Sequence, residues 1–192
     1  MDKRMRYFTI KILLISPLIL SGCTDAHLNA QVSLQQLTDS LHQVLSADRR
    51  AYEQLIFERL EQIQPTTKMP QLAQQLPLLW PAQLFTQAAH IAQQQGATFS
   101  YVLLAQNPLN PKNQPITEEE KQALAFIETH KGQNYYGEEH IGKVKFFVAA
   151  YPEIAYAPHC VHCHNHYLQA KQPQYELNDI LGAILIRVPI TF

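Results

Sequence analysis

Residues 160–164 read Cys160-Val161-His162-Cys163-His164, and a C-x-x-C-H string is the attachment site of a c-type haem. The spacing is what that chemistry needs. Two thiols three residues apart add to the two vinyl groups on one edge of a haem. The histidine directly after the second thiol then falls beneath the iron and supplies an axial nitrogen. With 3 Cys and 9 His in the chain, chance would produce the string in on the order of one in a thousand shuffles of this composition. Two other chemistries use the same residue types. A redox C-x-x-C sits at the start of a helix after a strand, whereas Tyr156-Ala157-Pro158-His159 reads as a loop. A zinc site would draw on the cysteines and on His159, His162, His164 and His166. A structural zinc site of four ligands usually uses two separated pairs, however, and no second C-x-x-C or H-x3-H lies elsewhere. The expected cofactor is therefore one covalent haem c, attached at Cys160 and Cys163, with His164 as proximal iron ligand. A zinc-binding or non-haem structural lipoprotein is the alternative.

The start of the chain says where such a cofactor would be inserted. Residues 1–22 read as a lipoprotein signal peptide. Lys3, Arg4, Arg6 and Lys11 make a positive start, and Ile12 to Leu20 is a mostly apolar run too short to span a bilayer as a permanent helix. Leu20-Ser21-Gly22-Cys23 resembles a bacterial lipobox, in which the new N-terminal cysteine takes a diacylglycerol anchor. Residues 23–31 would then be a tether and residues 32–192 the haem domain. Lipid at Cys23 and haem at Cys160 and Cys163 leave no thiol over. Both modifications belong outside the bacterial inner membrane, so the expected location is the periplasm, anchored to the outer or inner membrane. Thr24 is not an acidic retention residue, which inclines sorting to the outer membrane. Removing Lys3, Arg4, Arg6, Lys11 and Asp2 from 15 basic and 16 acidic residues leaves a net charge of −4. That is no electrostatic footprint for nucleic acid.

The elements that must position the motif are legible as α+β. Apolar residues recur at helical spacing from Val32 to Ile63 (Leu34, Leu37, Leu41, Leu45, Tyr52, Ile56, Leu60), which predicts a long amphipathic helix with a break near Ser46-Ala47-Asp48. Pro65, Pro70 and Pro77 mark an irregular connection. Pro81 opens a second helix and Gly96 closes it. Residues 97–105 read as a strand. Thr117 with Glu120 is a capping box for a third helix that runs to about His130. Strands are expected at 134–136, 143–151 and 183–188, with the haem motif in the long excursion between the last two.

Several stretches together resemble a family of single-haem c-type proteins with a PAS-like fold, found as secreted or anchored single domains and as sensory domains of bacterial histidine kinases and chemoreceptors. The resemblance covers roughly residues 45–190. It rests on Cys160-Val161-His162-Cys163-His164-Asn165, on Asn178-Asp179-Ile180-Leu181-Gly182 with the strand through Pro189, on Asn107-Pro108-Leu109-Asn110-Pro111, and on Arg49-Arg50-Ala51-Tyr52. It implies a PAS-like antiparallel sheet flanked by helices. Two features depart from the family. Its second histidine usually stands three residues after the haem histidine and precedes proline, whereas His166 stands two after His164 and precedes Tyr167. The cysteine that some members offer as second axial ligand, from the helix before the first strand, is absent from Ala82–Gln95. The sixth iron position is then open or filled by another group, with His90 and His42 as candidates and Met69 a weaker one.

Arg49, Arg50, Arg59, Lys143 and Lys145 are candidates to pair the haem propionates. Asn165 and Asn110 could hydrogen-bond the haem or brace its loop. Nothing resembles a nucleophile–base pair or a phosphate loop, so no enzyme activity is expected. Two functions remain, one-electron transfer and redox or gas sensing, and either needs an unidentified redox or signalling protein as partner.

Overall fold

The computed structural model describes residues 32–59, 62, 80–108, 110–166 and 174–190. The signal peptide, Cys23, the tether and Met69 lie outside the described residues. Helix α1 (Leu34–Tyr52) starts at Ser33, whose hydroxyl accepts from the Gln36 amide while the Gln36 side chain answers the Ser33 amide. The expected break near Ser46-Ala47-Asp48 does not occur, because Ser46 turns its hydroxyl onto His42 Nε2, 2.9 Å away, rather than onto the backbone. The helix instead loosens into a π-helical segment at Glu53–Glu58. Helix α2 (Pro81–Gln94) follows, ended by Gly96 at φ +86°. Strand β1 (Ser100–Leu104), a 3-10 turn (Pro111–Asn113) and helix α3 (Glu118–Thr129) lead to β2 (Tyr135–Ile141), β3 (Val144–Ile154), helix α4 (Pro158–His166) and β4 (Ile180–Pro189).

The strands form one antiparallel sheet in the order β1-β4-β3-β2. Helices flank it, so the α+β reading with an antiparallel sheet and a long N-terminal helix holds. Strand β4 is central, and its apolar run from Ile180 to Ile186 reflects burial on both faces. Leu185 and Ala183 join Val148, Ala150, Leu124 and Ile127 beneath α3. Ile184, Ile186 and Val188 join Tyr101, Tyr151 and Phe85 on the opposite face, where Leu34, Leu41 and Leu45 of α1 and Ala89 and Ala92 of α2 close over them. Gly182 brings β4 so near β1 that a Cβ there would collide with the Leu104 carbonyl. Among the described residues, no helix is long and apolar enough to cross a membrane.

Helix α1 is pinned to the sheet by a polar contact as well. Asp39 Oδ1 accepts hydrogen bonds from Tyr136 and Tyr151, each at 2.8 Å, and His42 stacks on the Tyr151 ring at 4.0 Å. Burial, and then the Asp39 carboxylate, hold the Tyr151 phenol well above its ordinary range. Asp39→Ala leaves the Tyr151 hydroxyl buried without this acceptor. It is expected to cost about 2 kcal/mol in urea unfolding, with hydrogen exchange in α1 accelerated more than in α3.

Candidate haem-attachment site

The excursion between β3 and β4 is tied at its neck. The Ala155 amide donates to the Asp179 carbonyl, and the Asn178 amide donates to the Ala155 carbonyl, each at 2.9 Å. The strand register slips just before it: Glu153 faces Gly182 and Ile154 faces Ile180, so Leu181 of β4 is the extra residue of a bulge. Pro158 then opens α4 at a position that needs no amide hydrogen. Of the segment read as a loop before Cys160, Tyr156 and Ala157 are irregular as expected, but Pro158 and His159 already belong to a first helical turn soon after a strand. The local context used to set aside a redox C-x-x-C is corrected accordingly: a short connection after β3 puts the motif where such motifs also occur.

The helix matters for the haem chemistry. Residues three and four apart share a helical face, so Cys160, Cys163 and His164 lie on one side of α4. All three are half-buried. Burial, and then the Arg49 guanidinium, hold the His164 imidazole down to about 4, so the ring is neutral and its nitrogen lone pair is available to a metal. Burial, and then Cys160, push the Cys163 thiol up to about 11. The His164 ring meets Tyr175 edge to face, with centroids 5.6 Å apart.

Asn165 braces this arrangement. Its side chain donates to the Tyr175 carbonyl and accepts from the Tyr175 amide, both at 2.9 Å. Tyr175 also lines a cavity of about 210 Å³ together with Asn107, Leu124, Ile127, Leu181 and Gly182. The Asn-Pro connection and the start of β4, far apart in sequence, therefore meet beside the motif. Asn110 caps the 3-10 turn instead, accepting from the Lys112 amide at 3.1 Å. Asn165→Ala is expected to cost about 1–2 kcal/mol and to raise the exchange rate of the Tyr175 amide at least tenfold, read by hydrogen–deuterium exchange.

A buried charge cluster faces the first turn of α4. Arg49 Nη1 lies 2.8 Å from Glu153 Oε1, and Arg49 Nε lies 3.8 Å from Glu53 Oε1. Glu53 Oε2 lies 3.6 Å from His159 Nε2. Burial pushes the Glu153 carboxyl above its ordinary range, against the pull of Arg49. For His159 burial opposes the charged ring, but the Cys160 sulfur and Glu53 outweigh it and raise the ring to about 10. Sequence reasoning missed Glu53 and Glu153. The only available signal was two carboxylates among the apolar positions of a helix and a strand.

Arg49 Nε and the Tyr156 hydroxyl are buried with no hydrogen-bond partner among the described residues. Donors left so are costly unless another group completes them. A c-type haem fits this set: two thiols and an imidazole on one face, with two unanswered donors for a propionate nearby. Arg50 lies over the Tyr156 ring at 4.9 Å, and Arg59 is exposed. Lys143 and Lys145 lie toward the other end of β3, where Lys145 pairs with Glu138 at 2.6 Å. Ile154 lies nine steps along the strand from Lys145, roughly 30 Å at the usual rise. His42 is held between Ser46 and Tyr151 on α1. His90 is exposed on α2, 3.1 Å from Gln94 Nε2. His162 and His166 stack on each other at 4.5 Å.

Comparison with known proteins gives the following. A family model described as Tll0287-like matches residues 26–189. No curated protein matches. The crystal structure of the cyanobacterial haem protein Tll0287 is 21% identical, with a TM-score of 0.40, over 54% of this chain and 68% of that one.

Proposed function

We propose, from the premise that this chain belongs to the Tll0287-like family, that it is a membrane-anchored periplasmic protein carrying one covalent haem c for one-electron transfer or for redox or gas sensing. The observation that carries this reading is the placement of Cys160, Cys163 and a neutral, half-buried His164 on one face of α4. Bound there, the haem supplies an iron that changes oxidation state by one electron or binds a small gas. The chain supplies the rest. Cys160 and Cys163 give the two thioether sulfurs, His164 gives the proximal nitrogen, and Asn165 holds Tyr175 against the His164 ring. Arg49 and Tyr156 offer donors to a propionate. His42 and His90 are the proposed alternatives for a second axial ligand. The nearby partners of both rings, Ser46 with Tyr151 and Gln94, favour His164 as the single protein ligand. The anchor at Cys23 rests on the lipobox alone. The protein acts on a redox or signalling partner rather than as an enzyme.

The test is the protein matured in a host with haem-attachment machinery. Its colour is expected to stay with the polypeptide in acid acetone, and its pyridine haemochrome bands are expected to be of the c type. A colourless chain with stoichiometric zinc would overturn the reading in favour of a zinc lipoprotein. The spin state with and without CO separates a carrier, six-coordinate and unresponsive, from a sensor with an open position.

A further inference from the structure

We propose that Glu53, His159 and Cys160 form a second metal site, which holds one divalent ion of the zinc type in the chain before haem is attached. Glu53 opens the π-helical segment, and His159 and Cys160 lie in the first turn of α4. Single π turns are frequent where a helix serves a site. One ligand atom from each of the three side chains lies within 4.8 Å of the other two. Donors on tetrahedral zinc stand about 3–4 Å apart, given bond lengths of about 2.0–2.3 Å. Small side-chain rotations therefore close the set around an ion.

The donor chemistry selects the metal. A thiolate, an imidazole and a carboxylate suit zinc or a neighbouring transition ion, whereas magnesium and calcium take oxygen alone. The carboxylate gives an independent sign. Glu53 is 2% exposed, and its Oε2 is buried with no hydrogen-bond partner among the described residues. A carboxylate oxygen removed from water needs a donor or a cation. Arg49 approaches the other oxygen, Oε1, and is itself paired with Glu153, while Oε2 faces His159 Nε2 at 3.6 Å, too long for a hydrogen bond, across a gap where an ion would take the place of the ring proton. Glu53 and the Cys160 thiolate balance a divalent charge, and a water takes the fourth tetrahedral position.

The Cys160 sulfur belongs both to this site and to haem attachment, and a thioether sulfur is a far poorer ligand than a thiolate. Metal and haem are therefore mutually exclusive. That exclusion rests on the haem reading, while the metal site itself does not. Before attachment, the ion joins the π-helical segment to α4 and orders the strap that must receive the haem.

The full chain, produced without haem attachment, is titrated with cobalt(II) and then with competing zinc. One equivalent of cobalt is expected to give a sulfur-to-cobalt charge-transfer band that zinc removes. Cys160→Ser abolishes the band, and Glu53→Gln weakens cobalt binding at least tenfold. His162→Ala and His166→Ala leave it unchanged. His159→Asn serves as a second test of the donor set where circular dichroism finds Glu53→Gln unfolded. A native chain without the band, a band indifferent to Glu53 and His159, or a band of equal strength in haem-loaded protein overturns the proposal. Cobalt binding as described, in a chain that matures without haem, supports the metal site and overturns the haem reading. Normal haem attachment with no cobalt band does the reverse.

Discussion

A Cys160→Ser/Cys163→Ser chain, matured beside the native protein, is expected to release all of its red colour into acid acetone. The native chain is expected to keep its colour on the polypeptide. Each single serine variant keeps one thioether, so its haem remains bound to the polypeptide with one linkage fewer, which mass spectrometry resolves. The effect of the double change is all or none because covalent attachment has no partial substitute. Once both sulfurs are gone, only the His164 nitrogen and surrounding contacts hold the haem, and these reverse on denaturation. The fold should survive, since neither cysteine belongs to the two hydrophobic clusters of the sheet. If the double variant stays red in acid acetone, the attachment chemistry assigned to α4 is wrong.

Arg187→Met is expected to be the most destabilising single change away from the motif, by about 3–5 kcal/mol in denaturant unfolding. Arg187 is 8% exposed and sits in the central strand β4. Its Nη2 lies 2.6 Å from Glu120 Oε1 of α3, and its Nε donates to Glu139 Oε1 of β2. One guanidinium thus satisfies two buried carboxylates from separate elements. Methionine fills much of the volume but leaves both acids without their cation, Glu120 keeping only its two backbone amide donors, and an uncompensated buried charge is the costly product.

The pH dependence gives this prediction a sign. Burial alone would raise the Glu120 carboxyl, but the Ile116 amide, Arg187 and the Thr117 amide outweigh it and hold it below its ordinary value. A carboxyl lowered in the folded state adds stability above its unfolded pKa, and that stability is lost as pH falls through the folded value. Without Arg187 the Glu120 carboxyl binds a proton more readily in the folded chain. The gap between native and Arg187→Met proteins should therefore narrow from pH 7 toward pH 4. A constant gap across that range would mean the loss comes from packing rather than from the ion cluster.

Much of the architecture was legible because local rules and burial agreed. Thr117 and Glu120 announced the start of α3, Pro81 and Gly96 bounded α2, and the apolar run of β4 marked a strand. The errors have physical causes. Ser46 and Asp48 suggested a cap, but Leu41 and Leu45 face the sheet on the same helical side, and their burial keeps α1 continuous through that point. The loop reading held for Tyr156 and Ala157 but not for Pro158 and His159, because a proline that would break a helix interior costs nothing at a first turn. Asp39 drew no notice in the sequence, because its partners Tyr136 and Tyr151 stand 97 and 112 residues away.

The sequence alone determined the reactive groups of this protein and their local spacing. Two thiols and an imidazole three and four residues apart lie on one face of any helix that carries them, whatever surrounds them. Tertiary structure decided their electrostatic setting. It brought Arg49, Glu53 and Glu153 from a helix and the end of strand β3 against the first turn of α4, and it kept His164 neutral. Buried charges act across space with little screening by water. Their effect depends on distance in the folded chain, which residue order does not contain.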